Sequence, residues 1–136
     1  MNIEDVKEDL KKKNYKRALF GIEKILIENP NLEQNVNLKG VILANLDRVI
    51  EARQCWFKAI KINSSYFDPI CNLGDSYLKK RDHDEAIKYF TKASELQPKN
   101  FIVHFRIGYL FMPVSYTHLR AHETEADLVC RLLLEK

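Results

Sequence analysis

Apolar side chains recur every three or four residues along residues 1–111, and polar side chains occupy most positions between them. This spacing puts the apolar residues on one face of a helix, so it predicts amphipathic helices throughout the range. Residues that commonly end helices interrupt the pattern at short intervals, as at Asn29-Pro30-Asn31 and at Pro98. The pattern therefore predicts an all-α chain of short helices joined by tight turns.

Two of the predicted helix starts carry side chains that can cap a helix. Asn31 is followed three residues later by Gln34, and Asp82 is followed three residues later by Glu85. A short polar side chain just before a helix accepts a hydrogen bond from first-turn backbone N–H groups, and a Glu or Gln three residues on can return it. We therefore expect one helix to begin after Asn31 and another after Asp82.

The pattern repeats itself, most completely between residues 67 and 100. Its residues there fall in a fixed order: Ile70, Leu73, Gly74, Tyr77, then Ala86, Phe90, Ala93 and Pro98. A step of 34 residues back finds Gly40, Leu43, Ala52, Trp56 and Ala59, and a step forward finds Ile107, Gly108 and Phe111. A further step back finds Ala18, Ile22, Ile25 and Pro30. This order resembles the tetratricopeptide repeat, whose unit of about 34 residues is a pair of antiparallel helices.

The resemblance implies a fold and a division of the chain. The implied fold is an all-α superhelix, a tetratricopeptide solenoid of about three and a half repeats, with units at 1–32, 33–66, 67–100 and a truncated unit at 101–112. Departures from the signature are Ile70 at the usual tryptophan position, together with Val6, Asp9, Lys39 and Ser64. We expect the signature residues to form the core, with Gly74 and Ala86 small because the paired helices pass closest there.

The segment after Pro113 does not follow the repeat. Val114–Thr124 and Asp127–Lys136 resemble the in-frame translation of a sequencing adapter, with Glu125 and Ala126 where a variable index would be read. This resemblance implies that the native frame ends near Met112 and that residues 113–136 are a non-native tail. The tail has one apolar face that would allow a helix, formed by Leu119, Ala126, Val129, Leu132 and Leu133. Because the tail resembles an adapter translation, the near-helical spacing of His118, His122, Glu123 and Cys130 is not interpreted as a metal site.

Composition and charge exclude several classes of function. The formal net charge of +3 comes from interspersed charges, and the one dense basic run, residues 11–17, is interpreted as a solvated helix end and not as a nucleic-acid site. The three cysteines have neither paired spacing nor nearby histidines in metal-ligand order, so we expect reduced thiols. The absence of a bilayer-spanning apolar run and of a signal peptide favours a cytoplasmic protein without membrane attachment. Without a phosphate-binding loop or a nucleophile beside a base, we expect no enzyme, cofactor or metal.

The family resemblance also implies where a partner would bind. In this family the first helix of each unit lines a concave groove, and the matching positions here are Asn37, Val41, Ala44, Asn45, Cys71, Asp75, Leu78, Lys79, Phe105 and Tyr109. Within each unit the later residues stand four, seven or eight positions after the first, which puts the set on one helical face. Their amide, charged and aromatic groups suit a peptide, so the prediction is a scaffold that binds a protein or peptide partner.

Several alternatives to this prediction stay open. The groove positions could be merely solvated, the chain could be the regulatory N-terminal segment of a longer, truncated enzyme, or the unfinished fourth unit could self-associate through exposed apolar surface. A subfamily of these repeats clamps the terminal carboxylate of chaperone tails with Lys and Asn side chains. Here Lys7 and Lys11 are available, but Val41 and Asp75 occupy the deeper groove, so that activity is not predicted.

Overall fold

A computed structural model describes residues 2–110, and within this range the chain consists of helices joined by short turns. The helices are α1 (Ile3–Lys11), α2 (Tyr15–Glu28), α3 (Glu33–Asn45), α4 (Val49–Ile62), α5 (Phe67–Lys79), α6 (His83–Leu96) and α7 (Phe101–Leu110). Each helix packs on the next along the chain, and α3 also contacts α5. Contacts limited to near neighbours are the layout of a helical solenoid, so the predicted all-α repeat fold is confirmed.

The turns that end α1, α3 and α5 are built alike. Each contains one residue other than glycine in the left-handed region: Lys13 at φ 63°, Asp47 at φ 61° and Arg81 at φ 60°. In each turn the next amide bonds to a carbonyl five residues earlier, from Asn14 to Asp9 at 2.8 Å, from Arg48 to Leu43 at 2.9 Å and from Asp82 to Tyr77 at 2.9 Å. Because the three residues are 34 positions apart, the period of the sequence is also a period of backbone conformation.

The two capping predictions have opposite outcomes. Asp82 directly precedes α6, and its carboxylate accepts a hydrogen bond from the Glu85 N–H at 3.4 Å, which confirms the cap; the Asp82 N–H donates to the Tyr77 carbonyl and not to Glu85. The prediction for Asn31 is wrong, because α3 begins at Glu33 and Leu32 is the residue before it. The Leu32 carbonyl accepts the first backbone bonds of the helix, so α3 starts one residue beyond the point that Asn31 could cap.

Within two of the helix pairs, a glycine faces an aromatic ring. A Cβ atom added to Gly74 would lie 2.7 Å from the Phe90 ring, and one added to Gly40 would lie 2.4 Å from Trp56 Nε1. Both distances are far below van der Waals contact between carbon and its neighbours. The sequence-based reason for Gly74 therefore needs a correction: the space it leaves is filled by the Phe90 side chain, which is fully buried.

The contact between the second and third helix pairs includes one polar pair. Arg53 of α4 donates from Nε to Ser76 Oγ at 3.0 Å and from Nη2 to the Ser76 carbonyl at 3.3 Å. Its guanidinium carbon also lies 4.2 Å from the centre of the Tyr77 ring. The equivalent positions one repeat earlier and one repeat later are apolar and belong to or pack against the core: Leu19 with Ile42, and Ile87 with Leu110. The middle contact between repeats therefore has a polar pair at the positions that are apolar in the contacts before and after it.

The predictions about the tail concern residues that the structure does not describe. They are the end of the native frame near Met112, a helix within 113–136, and the cluster of His118, His122, Glu123 and Cys130. Of the helices in residues 2–110, none combines the length and the apolar character needed to cross a membrane.

Candidate partner-binding groove

A cavity of about 260 Å³ lies between α3 and α5, next to the turns that follow these helices. Four apolar residues line it, namely Val41, Ala44, Val49 and Trp56. The remaining lining residues are polar or charged: Asn45, Asp47, Asn72, Asp75, Ser76, Lys79 and Lys80. An apolar patch surrounded by polar groups can hold one side chain of a ligand and orient it by hydrogen bonds. We call this site the α3–α5 cavity.

Half of the predicted groove residues line the α3–α5 cavity. They are Val41, Ala44, Asn45, Asp75 and Lys79, from two different repeat units. Asn45 donates from Nδ2 to the Val41 carbonyl at 2.9 Å, which leaves its amide oxygen without a donor among residues 2–110. Leu78 does not line the cavity and packs against the core instead.

Asn37 lies deeper than a groove surface would require. Only 8% of the residue is exposed, and its amide oxygen accepts a hydrogen bond from Asn72 Nδ2 at 3.0 Å. The bond joins the first helices of two successive units. Because Asn72 lines the α3–α5 cavity and Asn37 does not, a ligand there would contact Asn72 first.

The next contact along the first helices is an ion pair. Arg106 of α7 places Nη1 2.5 Å from Asp75 Oδ1, and the two side chains are 36% and 35% exposed. The guanidinium carbon of Arg106 lies 5.7 Å from the centre of the Phe90 ring. Burial raises the pKa of the Asp75 carboxyl above its ordinary value, while the charge and hydrogen bond of Arg106 oppose that rise. The Asp75 carboxylate is therefore partly desolvated, and Arg106 favours its charged form.

Cys71 contributes a protonated thiol to this surface. Burial is the main cause that raises its pKa to about 12, and the neighbouring Asp75 carboxylate adds to the effect. Only a thiolate is an effective nucleophile or metal ligand, so Cys71 offers neither chemistry at neutral pH. Cys55 and Cys71 are both free thiols, and no three His, Cys, Asp or Glu side chains within residues 2–110 form a group that could hold a metal ion.

The predicted residues on α7 do not line the α3–α5 cavity. Phe105 is half-buried, with its ring centre 6.2 Å from that of Phe101, and Tyr109 is exposed. Phe101 and Ile102 are 58% and 61% exposed, so α7 presents apolar surface within the described residues. Self-association through the fourth unit stays a prediction.

Two other cavities contain none of the predicted groove residues. One, of about 580 Å³, lies at the basic α1–α2 turn and is lined in part by Lys13, Lys16 and Arg17. The other, of about 390 Å³, lies between α4 and α6 and is lined in part by Phe57 and Leu96. The second cavity also includes Ile70 of α5, but the predicted groove residues of α3 and α5 line the α3–α5 cavity, which is therefore the candidate site.

Sequence reasoning missed Asn72 and Arg106. These two residues are 34 positions apart and therefore hold the same place in the third and fourth units, one residue after the predicted groove positions Cys71 and Phe105. The sequence signal that could have found them is a polar residue at the same repeat position in both units. It was hidden because Leu38 stands there in the second unit.

Comparison with protein families and curated proteins gives consistent matches. The family model of the tetratricopeptide repeat matches residues 68–100. The chain is similar to anaphase-promoting complex subunit 8 of Dictyostelium discoideum, with 28% identity over 107 residues that cover 75% of this chain and 18% of that protein. It is also similar to the UDP-N-acetylglucosamine peptide N-acetylglucosaminyltransferase of Giardia intestinalis, with 28% identity over 89 residues that cover 65% of this chain and 6% of that protein. The chain thus spans less than a fifth of the length of these relatives.

Solved structures with the same fold include two close in shape. The first tetratricopeptide domain of Spaghetti bound to the HSP90 peptide SRMEEVD superposes with a TM-score of 0.74 at 20% identity, covering 79% of this chain and 85% of that one. The MamA protein superposes with a TM-score of 0.75 at 22% identity, covering 96% of this chain and 68% of that one. Identities this low show a shared fold alone.

Proposed function

Because this chain is a tetratricopeptide-repeat protein, we propose that it is a protein-interaction scaffold whose α3–α5 cavity holds a side chain of a bound peptide. The observation that carries the proposal is the cavity itself. It brings residues predicted from two separate units, Val41 and Asn45 with Asp75 and Lys79, around one apolar space. If these positions were merely solvated, there would be no reason for residues of two units to line one cavity.

The composition of the cavity supports a peptide as the ligand. Its apolar lining suits an aliphatic or small aromatic side chain, while Asn45, Asn72 and Lys79 offer hydrogen bonds to a peptide main chain or to its neighbouring side chains. The neighbour of known structure from Spaghetti, which has the same fold, is bound to a peptide. That neighbour supports the mode of binding and leaves the identity of the partner of this chain undefined.

Substitution of Ala44 with glutamine is expected to weaken peptide binding by about tenfold, the size of one well-placed contact residue. Ala44 is half-buried in the cavity wall, and glutamine keeps the helix while its longer side chain takes up the space. Peptides would be selected from a random library on the full chain, synthesised with a fluorophore, and titrated with wild type and variant by fluorescence anisotropy.

The matched control is Thr91→Gln, because Thr91 is exposed on α6 and does not line the cavity. Thermal unfolding of both variants establishes that they are folded. Selected peptides that bind Ala44→Gln and Thr91→Gln as tightly as wild type would show that the cavity is not the binding site.

A second candidate function is suggested by one of the relatives. The match to an N-acetylglucosaminyltransferase covers only 6% of that enzyme, and the described residues of this chain consist of helical repeats. We therefore keep the alternative that the chain is the regulatory front segment of a longer enzyme. Reading the uninterrupted gene beyond the codon for Met112 separates the two, since a catalytic domain in frame would favour the alternative.

A further inference from the structure

The cavity of about 390 Å³ between α4 and α6, which we call the α4–α6 cavity, shares no residue with the α3–α5 cavity. Its lining is largely apolar: Phe57, Ile60, Ile70, Tyr89 and Leu96. Ile70 is buried beneath it, whereas Phe57 and Leu96 are 42% and 38% exposed. Large apolar side chains that stand over an apolar cavity gain free energy when a partner covers them.

The aromatic wall of this cavity is held in place by its neighbours. The Tyr89 ring is nearly parallel to the Tyr77 ring, with the ring centres 5.7 Å apart, and its centre lies 6.2 Å from that of Phe57. Arg53 in turn lies against the Tyr77 ring at 4.2 Å. A side chain that enters the cavity therefore meets a wall that needs little further ordering, which lowers the entropic cost of binding.

The repeat by itself does not require this cavity. One unit earlier, the positions of Phe57 and Tyr89 are occupied by Glu23 and Cys55, so the corresponding place between α2 and α4 has no aromatic wall. Ser64, which also lines the α4–α6 cavity, stands where the repeat signature has proline. The residues that depart from the pattern thus gather at one place on the second helices.

The charges beside the cavity favour an acidic partner. The segments of α4 and α6 that border it, residues 57–62 and 88–96, contain four lysines and one glutamate: Lys58, Lys61, Lys88, Lys92 and Glu95. Among the described residues, none of these lysines has a carboxylate within salt-bridge distance. The ammonium groups of Lys88 and Lys92 lie 5.6 and 5.8 Å from the centre of the Tyr89 ring, at the cavity itself.

We propose that the α4–α6 cavity is a second docking site, which takes a large apolar side chain from an acidic segment of a partner protein. The apolar side chain would fill the space between Phe57, Tyr89 and Leu96, and acidic residues on either side of it would lie near the lysines. Burial of the anchor supplies most of the affinity, and the charges select acidic partners and speed their association. The proposal does not depend on the α3–α5 cavity.

The test uses three fluorescein-labelled peptides with amidated ends, titrated on the full chain by fluorescence anisotropy. They are the acidic probe GEEAFEELAEEG, the anchorless probe GEEAAEEAAEEG and the neutral probe GQQAFQQLAQQG. The acidic probe is expected to bind at least about tenfold more tightly than the anchorless probe. It is also expected to bind more tightly than the neutral probe, by a factor that shrinks as the salt concentration rises.

Two variants test the two parts of the site. Phe57→Thr copies the residue one repeat later, Thr91, and is expected to weaken the acidic and the neutral probe alike by about tenfold. Lys92→Gln is expected to weaken the acidic probe by about threefold at low salt and to leave the neutral probe unchanged.

The matched controls lie on α2, where an exposed phenylalanine also stands beside a lysine. Phe20 is 57% exposed with Lys24 Nζ 4.5 Å from its ring centre, and Lys24 holds the repeat position of Lys92 two units earlier. Phe20→Thr and Lys24→Gln are expected to change the binding of no probe. If they weakened the acidic probe as much as Phe57→Thr and Lys92→Gln, general stickiness or long-range charge would explain the binding, and the proposal would be overturned.

Three further results would overturn the proposal. They are no detectable binding of the acidic probe, equal binding of the acidic and anchorless probes, and self-association of the wild-type chain in sedimentation velocity that Phe57→Thr removes. The last result would make a second copy of this chain the occupant. Thermal unfolding establishes that each variant is folded, and Leu96→Thr, on the opposite rim, replaces Phe57→Thr if that variant unfolds at a lower temperature than wild type.

Failure of this proposal and failure of the proposed function give different results. Ala44→Gln is expected to leave the acidic probe unchanged, because Ala44 does not line the α4–α6 cavity. Library peptides that lose affinity on Ala44→Gln and not on Phe57→Thr would keep the α3–α5 cavity as a binding site, whatever the acidic probe does.

Discussion

Replacing Gly74 with leucine is expected to lower the free energy of unfolding by about 3 kcal/mol, at the upper end for insertion of a large side chain into a packed core. Even the first added carbon would lie 2.7 Å from the Phe90 ring, and Phe90 is fully buried. The gain in helix propensity from removing a glycine is below about 1 kcal/mol and does not offset this clash. Urea unfolding followed by circular dichroism measures the difference. Gly74 is the better target of the two glycines, because the indole N–H of Trp56 beside Gly40 has no hydrogen-bond partner among the described residues and would complicate the result.

The Phe90 ring can be shown to be the cause by a double-mutant cycle. Phe90→Ala alone is expected to cost about 3–5 kcal/mol through the cavity it leaves. Combined with Gly74→Leu, the total cost is expected to be smaller than the sum by at least about 1 kcal/mol, since the leucine occupies the vacated space. Lys88→Leu, which adds an apolar side chain at an exposed position of α6, controls for a general effect of added leucine. Additive costs in the cycle would place the clash somewhere other than the ring.

Replacing Arg53 with alanine is expected to lower the free energy of unfolding by about 2 kcal/mol. The change removes two hydrogen bonds from a charged donor to Ser76 and the contact with the Tyr77 ring. It also leaves the nearly buried Ser76 with fewer partners, although Ser76 Oγ still donates to the Leu73 carbonyl at 2.8 Å. Arg48→Ala, at the residue directly before α4, is the control: among residues 2–110 the Arg48 side chain pairs with the exposed Glu51 alone, so little change is expected.

The same contact can be tested by replacing both partners. Arg53→Leu with Ser76→Ile copies the residues that stand one repeat earlier, Leu19 and Ile42. A well-packed apolar pair often stabilises a protein as much as a buried polar pair, or more. The double variant is therefore expected to be at least as stable as wild type, whereas each single variant is expected to be less stable. A double variant less stable than both singles would show that the middle of the solenoid has a geometry that excludes an apolar pair.

Some of the candidate site could be predicted from sequence and some could not. Val41, Asn45, Asp75 and Lys79 were predicted from the family resemblance, with their spacing on one helical face as support, and they gather around one cavity. Arg106 was not, because its relevance comes from a contact with Asp75 on another helix 31 residues away. The position of a residue within the repeat indicates which face of its own helix the side chain lies on. It does not indicate which side chain of the neighbouring helix will meet it.

The sequence by itself determined the helices, their order and the period that relates them. These depend on local rules: apolar spacing sets the buried face, and Pro and turn residues end each helix, so a unit of 34 residues is visible wherever the pattern recurs. It also determined that Gly74 had to be small. Only the tertiary structure decided that the ring of Phe90 fills its place, that Asn37 is buried against Asn72, and that Arg106 reaches Asp75. Those outcomes depend on the distance and rotation between successive helix pairs, which every packed side chain sets together and which no single stretch of sequence specifies.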